Sequence, residues 1–327
     1  MRQALVTGAT GGLGMALVEA LLEAGYSVRA TGRDRAVGTL LPGFVAADLT
    51  RVGSVDALVA GMNVVFHAAA LSSPWGRMVD FQAINVAATR RLLAASKAAG
   101  CDAFVFISTP SVYAEARDRL DLTEASPLAR RFANGYAATK HAAECLVLAA
   151  AAPGFATTVL RPRALVGPRD KVLLPRLVRV ARAGRFPLLR GGRALIELTD
   201  VRDAAAAALA ADQHRAEGGR VFNISGGAPA PIADTLAEIF DALGLHPKFV
   251  NIPYRLAASI AAMAEIVCAH LPGYPEPPAT VYTLSTLAFS QSFDLTAARR
   301  DLCWQPRFTP EQAIARTAAA WRRDAPL

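Results

Sequence analysis

A glycine-rich turn between an apolar run and an amphipathic segment restricts the fold more than any other feature of the sequence. The run 3–7 leads into Gly8, Gly11 and Gly14, and a helical pattern of apolar residues follows. In the spacing G-x-x-G-x-x-G the first glycine permits a tight turn, the second lets the main chain approach a pyrophosphate, and the third lets helix pack on strand. This strand-turn-helix unit predicts a dinucleotide site.

Strand and helix patterns alternate through the first half of the chain. After 3–7, strands are predicted at 27–31, 44–47, 63–66, 103–107 and 157–160, with helices near 79–99 and 135–150. Strands that alternate with helices form a parallel sheet whose two faces are covered. With right-handed crossovers, the fold class is therefore α/β, a doubly wound parallel Rossmann sheet.

The alternation becomes irregular after Pro162, where prolines recur. We predict that residues 1–162 form mainly the dinucleotide-binding domain and 163–327 mainly a smaller substrate-binding lobe, with about 195–225 returning to the first domain. In that second half the patterns predict strands at 195–198 and 221–224 and helices at 201–211 and 231–243.

The amino-acid composition and net charge indicate which kinds of ligand or macromolecule the protein could bind. Hydrophobic residues make up 53% of the chain and charged residues 19%, which is typical of a globular protein. The net charge of +8 indicates an arginine-rich surface or an anionic ligand; nucleic acid is not expected, because the basic residues are not interleaved with aromatic ones. The stretch 256–264 is too short to span a bilayer, so 256–271 is expected to pack or to contact a membrane peripherally.

Two further observations bear on the compartment. The four cysteines are scattered, which suits a reducing cytoplasm, and a strand that begins at Gln3 leaves no room for a signal peptide. A cytoplasmic protein is the expectation.

The end of the second predicted strand bears on cofactor choice. An acid there would select NAD, but Gly32 occupies this position and Arg33 follows. A guanidinium suits a 2′-phosphate, so NADP(H) is predicted over NAD(H). The alternative is that Arg33 is solvated and Asp34 binds the ribose. Asp48, after the third strand, is predicted to hold the adenine edge or to cap the segment beginning near Thr50.

Tyr136 and Lys140 are one helical turn apart and share a face. A lysine cation beside a tyrosine favours the tyrosinate, so the pKa of Tyr136 is expected to be lowered. The tyrosine would then exchange a proton with a carbonyl or alcohol oxygen while hydride moves at the adjacent carbon.

These motifs resemble, over nearly the whole length, the extended short-chain dehydrogenase/reductases of the NAD-dependent epimerase/dehydratase superfamily. The members most similar in style are 3β-hydroxysteroid dehydrogenase-like proteins and 2-alkyl-3-ketoalkanoate reductases. The matching segments are TGATGGLG at 7–14, DLT at 48–50, FHAAA at 66–70, SSPWG at 72–76, NVAATRRLL at 85–93, FISTPSVY at 106–113, YAATK at 136–140, RPRALVGPRD at 161–170 and CWQPRFTPEQAI at 303–314.

The resemblance implies a catalytic triad of Thr109, Tyr136 and Lys140, with Ser111 able to assist. It further implies a homodimer through the helices at 79–99 and 135–150, a structural Asn85, and a His67 that lines the cofactor cleft. The cofactor-binding residues it implies are Gly8, Thr10, Gly11, Gly12, Leu13, Gly14, Arg33, Asp48, Leu49, Ala68, Tyr136, Lys140 and Pro162.

Two other functions share this scaffold. A nucleotide-sugar epimerase or dehydratase is one, although dehydratases carry an Asp-Glu pair where Pro110-Ser111 stands here. A non-enzymatic NADP-binding sensor is the other, although such proteins tend to lose the tyrosine or the lysine.

The expected substrate is apolar, a 3-hydroxy or 3-keto lipid, sterol or β-keto acid. Ile196 stands where sugar-nucleotide enzymes carry an arginine for the diphosphate, and Glu197 beside it would repel one. The segment 254–271 is expected to form an apolar lid or to pack in the core, and three arginines could meet a substrate carboxylate at the pocket mouth. These arginines are Arg163, Arg169 and Arg193.

Overall fold

The computed structural model describes residues 1–51, 53, 55–170 and 173–324. Its strands are β1 (Gln3–Thr7), β2 (Ser27–Gly32), β3 (Phe44–Ala46), β4 (Val64–His67), β5 (Ala103–Ile107), β6 (Arg119–Leu122), β7 (Ala156–Pro162), β8 (Leu165–Val166), β9 (Arg185–Leu189), β10 (Leu195–Ile196), β11 (Thr199–Asp200), β12 (Gly219–Ile224), β13 (Ala230–Pro231), β14 (Lys248–Ile252) and β15 (Gln291–Phe293).

Helices alternate with these strands in the first half and dominate the second. They are α1 (Gly12–Glu23), α2 (Arg35–Gly38), α3 (Asp56–Val59), α4 (Met78–Phe81), α5 (Ala88–Ala98), α6 (Gly135–Ala149), α7 (Leu174–Ala181), α8 (Val201–Gln213), α9 (Ile232–Ala242), α10 (Tyr254–His270), α11 (Val281–Ala288), α12 (Thr296–Leu302) and α13 (Pro310–Asp324).

Seven parallel strands form the central sheet, in the order β12–β7–β5–β4–β1–β2–β3. Every residue of β4, β5 and β7 is buried, as expected for strands covered on both faces. One apolar core lies between the sheet and helices α1 and α8, and a second between the sheet and α5 and α6. The doubly wound parallel Rossmann architecture predicted from the sequence is confirmed.

The chain returns to this sheet late. Strand β12 pairs in parallel with β7, and α8 packs against α1. Asp203 of α8 accepts hydrogen bonds from the main-chain N–H groups of Arg307 and Phe308, and the Trp304 indole donates to the Asp203 carbonyl. The 303–314 motif therefore anchors the end of the chain to a helix of the central sheet.

The predicted helix at 79–99 contains a wider turn. Helices α4 and α5 are joined without a break by a π-helical segment, Gln82–Ala87. Such segments arise when one extra residue is accommodated in a helix, and they are frequent at functional sites. Asn85 lies in this segment and is buried.

Helix α10 does not form the predicted lid, and little of it is buried. Its buried residues comprise Ala261 alone and none of its residues lines the central cavity described below, while peripheral contact of this segment with a membrane stays a prediction. Leu256, Ile260, Met263 and Val267 are each more than half exposed. No helix among the described residues combines the length and the apolar character needed to cross a bilayer.

His67 is in the core and does not line the cofactor cleft, which corrects the sequence expectation. Its ring nitrogens contact the hydroxyl groups of Thr7 at 2.7 Å and Thr89 at 2.9 Å, so the ring links β1 to the helix behind it. Burial, reinforced by the charge of Lys140, lowers its pKa to about 3. The imidazole is therefore neutral in the folded protein at physiological pH.

This low pKa makes the protein acid-sensitive. Between pH 6.5 and about 3 the unfolded chain binds a proton at His67 and the folded chain does not, so stability falls as the pH falls. Between pH 7.5 and 5 the loss should be about 2 kcal/mol. Urea unfolding at the two pH values, in the wild type and in His67→Gln, measures it. The exposed His246→Gln is the control; an equal loss in His67→Gln would contradict the assignment.

Candidate active site

The glycine turn is sterically fixed at two of its three glycines. Gly8 has a φ of +68°, and a Cβ there would lie 2.7 Å from the main-chain nitrogen of Ala69. A Cβ at Gly14 would lie 2.2 Å from the Gly8 carbonyl oxygen. A Cβ at Gly11 would meet only that oxygen, at 3.4 Å, which is an ordinary contact. Gly8 and Gly14 are thus required by the fold, and Gly11 keeps space free for a ligand.

Helix α1 begins at this turn with an unsatisfied N-terminus. Its N-cap residue is Gly11, which has no side chain to accept a hydrogen bond from the first turn. The free N–H groups and the positive end of the helix dipole together form an anion site. The turn therefore fits the pyrophosphate of a dinucleotide.

One cavity of about 500 Å³ brings most of the predicted site residues together. Thr10 lines an adjoining smaller cavity, and Arg33, Asp48 and Leu49 line neither of the two. The predicted residues that do line the main cavity are Gly8, Gly11, Gly12, Leu13, Gly14, Ala68, Thr109, Tyr136, Lys140 and Pro162.

A row of hydroxyl groups runs along one wall of the cavity. The Tyr136 hydroxyl faces those of Thr109 and Ser72. The Thr109 Oγ1 lies 2.8 Å from the Ser111 Oγ, which lies 2.6 Å from the hydroxyl of Tyr282. Thr109 also accepts a hydrogen bond from the Ser111 N–H at 3.2 Å, so it caps the following turn as well as facing Tyr136.

The pKa of Tyr136 is raised, not lowered as expected from the sequence. Burial of the hydroxyl and the neighbouring Tyr282 raise it to about 12, and the contacts with Ser72 and Thr109 offset only part of this. Lys140 is not among the groups that shift it. At neutral pH the phenol is therefore protonated, the state that donates a proton to a carbonyl oxygen.

Lys140 is held close behind the tyrosine by the end of β5. It is 2% exposed, its ammonium group donates to the carbonyl oxygen of Ile107, and its Nζ lies 3.9 Å from the centre of the Phe106 ring. Burial lowers its pKa to about 7, although Glu144 opposes the shift. A lysine in this state is near its titration point at physiological pH.

Two buried contacts fix the helix that carries Tyr136 and Lys140. The side chain of Asn85 binds the main chain of Leu71 at 2.8 and 3.3 Å and the hydroxyl of Thr139 at 3.1 Å, which agrees with its predicted structural role. The Arg161 guanidinium forms a bidentate pair with Glu144, at 2.9 and 2.6 Å. Because Ser108 also donates to Glu144, this pair joins α6 to β5 and β7.

The residues after β2 lie at the edge of the site. Arg33 is exposed, and its charge is one of the smaller influences that lower the pKa of Asp48. The Asp48 carboxylate accepts from the N–H and the hydroxyl of Thr50, at 2.9 and 2.7 Å. Asp34 accepts from the Val37 N–H and caps α2. The Asp48 carboxylate therefore stabilises the turn at Thr50, where no helix begins among the described residues, and its contact with the adenine edge stays a prediction.

Much of the remaining lining of the cavity is apolar. Ile196 lines it, together with Leu177, Leu236 and Leu287. Glu197 does not line the cavity: it is 1% exposed and accepts from the Phe293 N–H at 3.2 Å. Glu197 therefore cannot repel a diphosphate in the cavity in the way that the sequence predicted. The remaining argument against a nucleotide-sugar ligand is that Ile196 supplies no cation at the position where sugar-nucleotide enzymes carry an arginine.

Two of the three candidate arginines lie at the cavity and the third does not. Arg163 and Arg169 line the cavity, and Arg193 is exposed outside it, with its Nε donating to the Arg190 carbonyl. Tyr282 and Ser72 are site residues that sequence reasoning missed. Tyr282 lies far along the chain with no local motif, whereas Ser72 stands within the SSPWG segment that carries the resemblance.

Comparison with known proteins agrees with this geometry. Residues 4–225 match the model of the NAD dependent epimerase/dehydratase family. Three relatives match nearly end to end. They are YbjS of Escherichia coli K12 (38% identity over 98% of this chain and 97% of the relative), a 4-hydroxy-2-methyl-3-oxo-4-farnesyl-3,4-dihydroquinoline-1-oxide ketoreductase of Stigmatella aurantiaca (34%; 94% and 93%) and the 2-alkyl-3-oxoalkanoate reductase of Stenotrophomonas maltophilia (34%; 97% and 98%).

Among solved structures, MoeE5 in complex with UDP-glucuronic acid and NAD has a similar fold. The TM-score is 0.78 at 24% identity, covering 99% of this chain and all of MoeE5. The family match, the relatives and the cavity agree on an NAD(P)-dependent oxidoreductase acting on a CH–OH/C=O pair. The chain belongs to the NAD dependent epimerase/dehydratase family.

Proposed function

We propose that the protein reduces the ketone of an apolar 3-oxo compound with NADPH. The observation that carries this proposal is that a protonated Tyr136 lines the same cavity as many apolar side chains. Two of the relatives are named as reductases of 3-oxo compounds with alkyl or farnesyl groups. A ligand cavity with few polar groups on an apolar surround is typical of such substrates.

The residues present fit a nicotinamide dinucleotide, which when bound supplies hydride to the carbonyl carbon of the substrate. The glycine turn and the α1 N-terminus would hold the pyrophosphate. Lys140 would bind the nicotinamide ribose. Thr109 donates a hydrogen bond to the substrate oxygen and orients it. Tyr136 donates its phenolic proton to that oxygen, so the alkoxide never has to form free in the cavity.

A nucleotide-sugar epimerase or dehydratase is the principal alternative, since MoeE5 binds UDP-sugars in the same fold. The aliphatic Ile196 and the apolar lining of the cavity oppose it. Calorimetry of the NADP-loaded protein with UDP-glucose and with a long-chain 3-hydroxy acid distinguishes the two. Micromolar binding of UDP-glucose with none of the lipid would reject our proposal. Consumption of NADPH with a 3-oxo lipid would support it and would also exclude a non-enzymatic sensor.

NADP(H) preference is the finer part of the proposal, and Arg33 supports it. An exposed guanidinium after β2, with no acid at the strand end, suits a 2′-phosphate. In Arg33→Ala we expect NADPH to lose about 1.5 to 3 kcal/mol of binding free energy and NADH to lose none. Fluorescence titration of both cofactors measures this.

Two variants complete that test. Arg299→Ala removes another exposed arginine, on α12, and should leave both affinities unchanged. Asp34→Ala should weaken NADH if Asp34 binds the ribose instead. An unchanged ratio of the two affinities in Arg33→Ala would show that Arg33 is a solvated bystander.

We also propose a homodimer formed through the helices at 78–98 and α6. Met78 and Val79, at the start of the first of these, are 51% and 67% exposed, which suits a contact surface. Light scattering on the purified protein gives the mass, and Met78→Glu with Val79→Glu should shift it towards the monomer.

A further inference from the structure

Arg163 follows the carboxyl end of β7, the edge of a parallel sheet at which ligands bind. Its main chain is held from two sides. Its N–H donates to the Ile224 carbonyl at 2.8 Å, and its carbonyl accepts from the hydroxyl of Thr199. Arg163 lines the cavity that also contains Tyr136 and Ser111, and it lines a small neighbouring cavity beside Tyr113 as well. Arg163 is therefore a fixed part of the substrate cavity.

The Arg163 guanidinium is buried without a counterion. The residue is 9% exposed, its Nε has no hydrogen-bond partner, and no described residue forms an ion pair with it. A buried charge that is not paired is strongly unfavourable. Arg161, two residues earlier, is the internal comparison: it is also buried, yet each of its three guanidinium nitrogens donates a hydrogen bond to Glu144 or Tyr113.

Glu197 does not neutralise this charge. Its carboxylate makes no ion pair with Arg163, and its Oε2 is buried without a partner. Burial raises the pKa of Glu197, although hydrogen bonds from Ser225 and Phe293 and the charge of Arg163 lower it in part. Glu197 therefore interacts with Arg163 only electrostatically, without a hydrogen bond or an ion pair. The Nε of Arg163 is left available to a ligand.

The hydroxyl row leads from Tyr136 towards Arg163. From Tyr136 it passes through Thr109 and Ser111 to Tyr282, over contacts of 2.8 and 2.6 Å. Tyr282 interacts electrostatically with both Tyr136 and Arg163. A single carbon atom separates the ketone and carboxyl carbons of a 3-oxo acid. In this cavity Tyr136 would meet the ketone of a 3-oxo acid anion, and Arg163 is a cation that its carboxylate could meet.

We propose that Arg163 binds the carboxylate of the substrate, so that the protein acts on a 3-oxo acid anion in preference to a neutral ketone. This inference rests on the proposed function, since it names the substrate class of the same site. In the reaction the ketone carbon gains hydride from the nicotinamide, and the ketone oxygen gains the Tyr136 proton. The carboxylate keeps its two oxygens and its charge and serves only for binding. An Arg–carboxylate pair of this kind is bidentate and specific.

A matched pair of ligands isolates the charge. We would use a long-chain 2-alkyl-3-hydroxy acid, which does not decarboxylate, and its methyl ester, which has the same carbon skeleton without the charge. Oxidation by NADP⁺ gives kcat/KM for each, and calorimetry of the NADP-loaded protein gives each affinity. Arg163→Met and Arg163→Lys are compared with Arg193→Met, which removes an exposed arginine outside the cavity.

The wild type should prefer the acid, and the acid-to-ester ratio of kcat/KM should fall about 10- to 100-fold in Arg163→Met. Arg163→Lys should restore part of the ratio, and Arg193→Met should not change it. Equal use of acid and ester by the wild type, or an unchanged ratio in Arg163→Met, would overturn the inference while leaving the proposed function intact.

Failure of the proposed function gives a different pattern. In that case neither ligand is oxidised, and calorimetry alone tests whether Arg163 binds the carboxylate. Acid binding that Arg163→Met abolishes still supports the carboxylate site, and absence of acid binding to the wild type rejects it. If Arg163→Met does not fold, Arg163→Lys and the comparison of acid with ester in the wild type still separate these two outcomes.

Discussion

Tyr136→Phe is expected to lower kcat by about 100- to 10,000-fold, the range that a positioned general acid or base contributes. The variant keeps the ring and its packing and removes only the proton donor. Cofactor affinity should stay close to that of the wild type, because the glycine turn and Lys140 are untouched. Stopped-flow and steady-state reduction of a 3-oxo lipid measure the loss, and NADPH titration measures the affinity.

Tyr254→Phe is the matched control for this loss. Tyr254 packs against Phe289 outside the cavity, so removing its hydroxyl should leave kcat unchanged. Wild-type turnover by Tyr136→Phe would mean that another group, such as Tyr282, supplies the proton. Since the pKa of Tyr136 is raised to about 12, reduction should also persist at alkaline pH until the phenol ionises.

Glu144→Ala is expected to lower the free energy of unfolding by about 3 to 5 kcal/mol, because it leaves Arg161 charged and buried without its partner. Glu144 is 1% exposed and Arg161 5% exposed, so water cannot replace the lost contact. Burial would raise the pKa of Glu144, but the nearby His141 ring, the hydrogen bonds from Arg161 and Ser108 and the charge of Arg161 outweigh it, and the pKa is lowered. The pair should therefore lose its stabilising effect as the pH falls below the usual range of a glutamate.

Urea unfolding at pH 7.5 of the single and double variants checks this prediction. Glu144→Leu combined with Arg161→Met removes both charges and should recover much of the loss. Arg300→Ala, which breaks an exposed pair with Asp301, should change stability too little to measure. A change of the same small size in Glu144→Ala would show that the buried pair is not stabilising.

The catalytic helix was predictable because its chemistry is local. Tyr136 and Lys140 are one turn apart, and the glycine turn is set by the main chain between neighbouring elements, so both leave a spacing in the sequence. Tyr282 left none, because α11 reaches Ser111 only through the tertiary fold. The pKa of Tyr136 was predicted in the wrong direction for the same reason: burial depends on the whole cavity, whereas the lysine alone was visible in the sequence.

Helix α10 shows that amino-acid composition alone does not predict where a helix packs. Ala, Ile, Leu and Met indicated contact with ligand or core, yet hydropathy does not say which face of a helix meets other elements. Asn85 gives the opposite case. Its predicted contact with main chain near the sheet was confirmed, although the sequence did not reveal the π-helical segment that lets one amide contact both Leu71 and Thr139.

That π-helical segment makes the helix sensitive to length, not only to residue type. Each residue of an α-helix turns the following ones by about 100° around the axis. Deleting Ala83 would allow Gln82–Ala87 to form regular α-helix. The part of the helix before the deletion would then be rotated by about 100° around the helix axis relative to the part after it. Asn85 would then lose Leu71 or Thr139. Single-residue deletions here should therefore be far more damaging than substitutions of the same alanine.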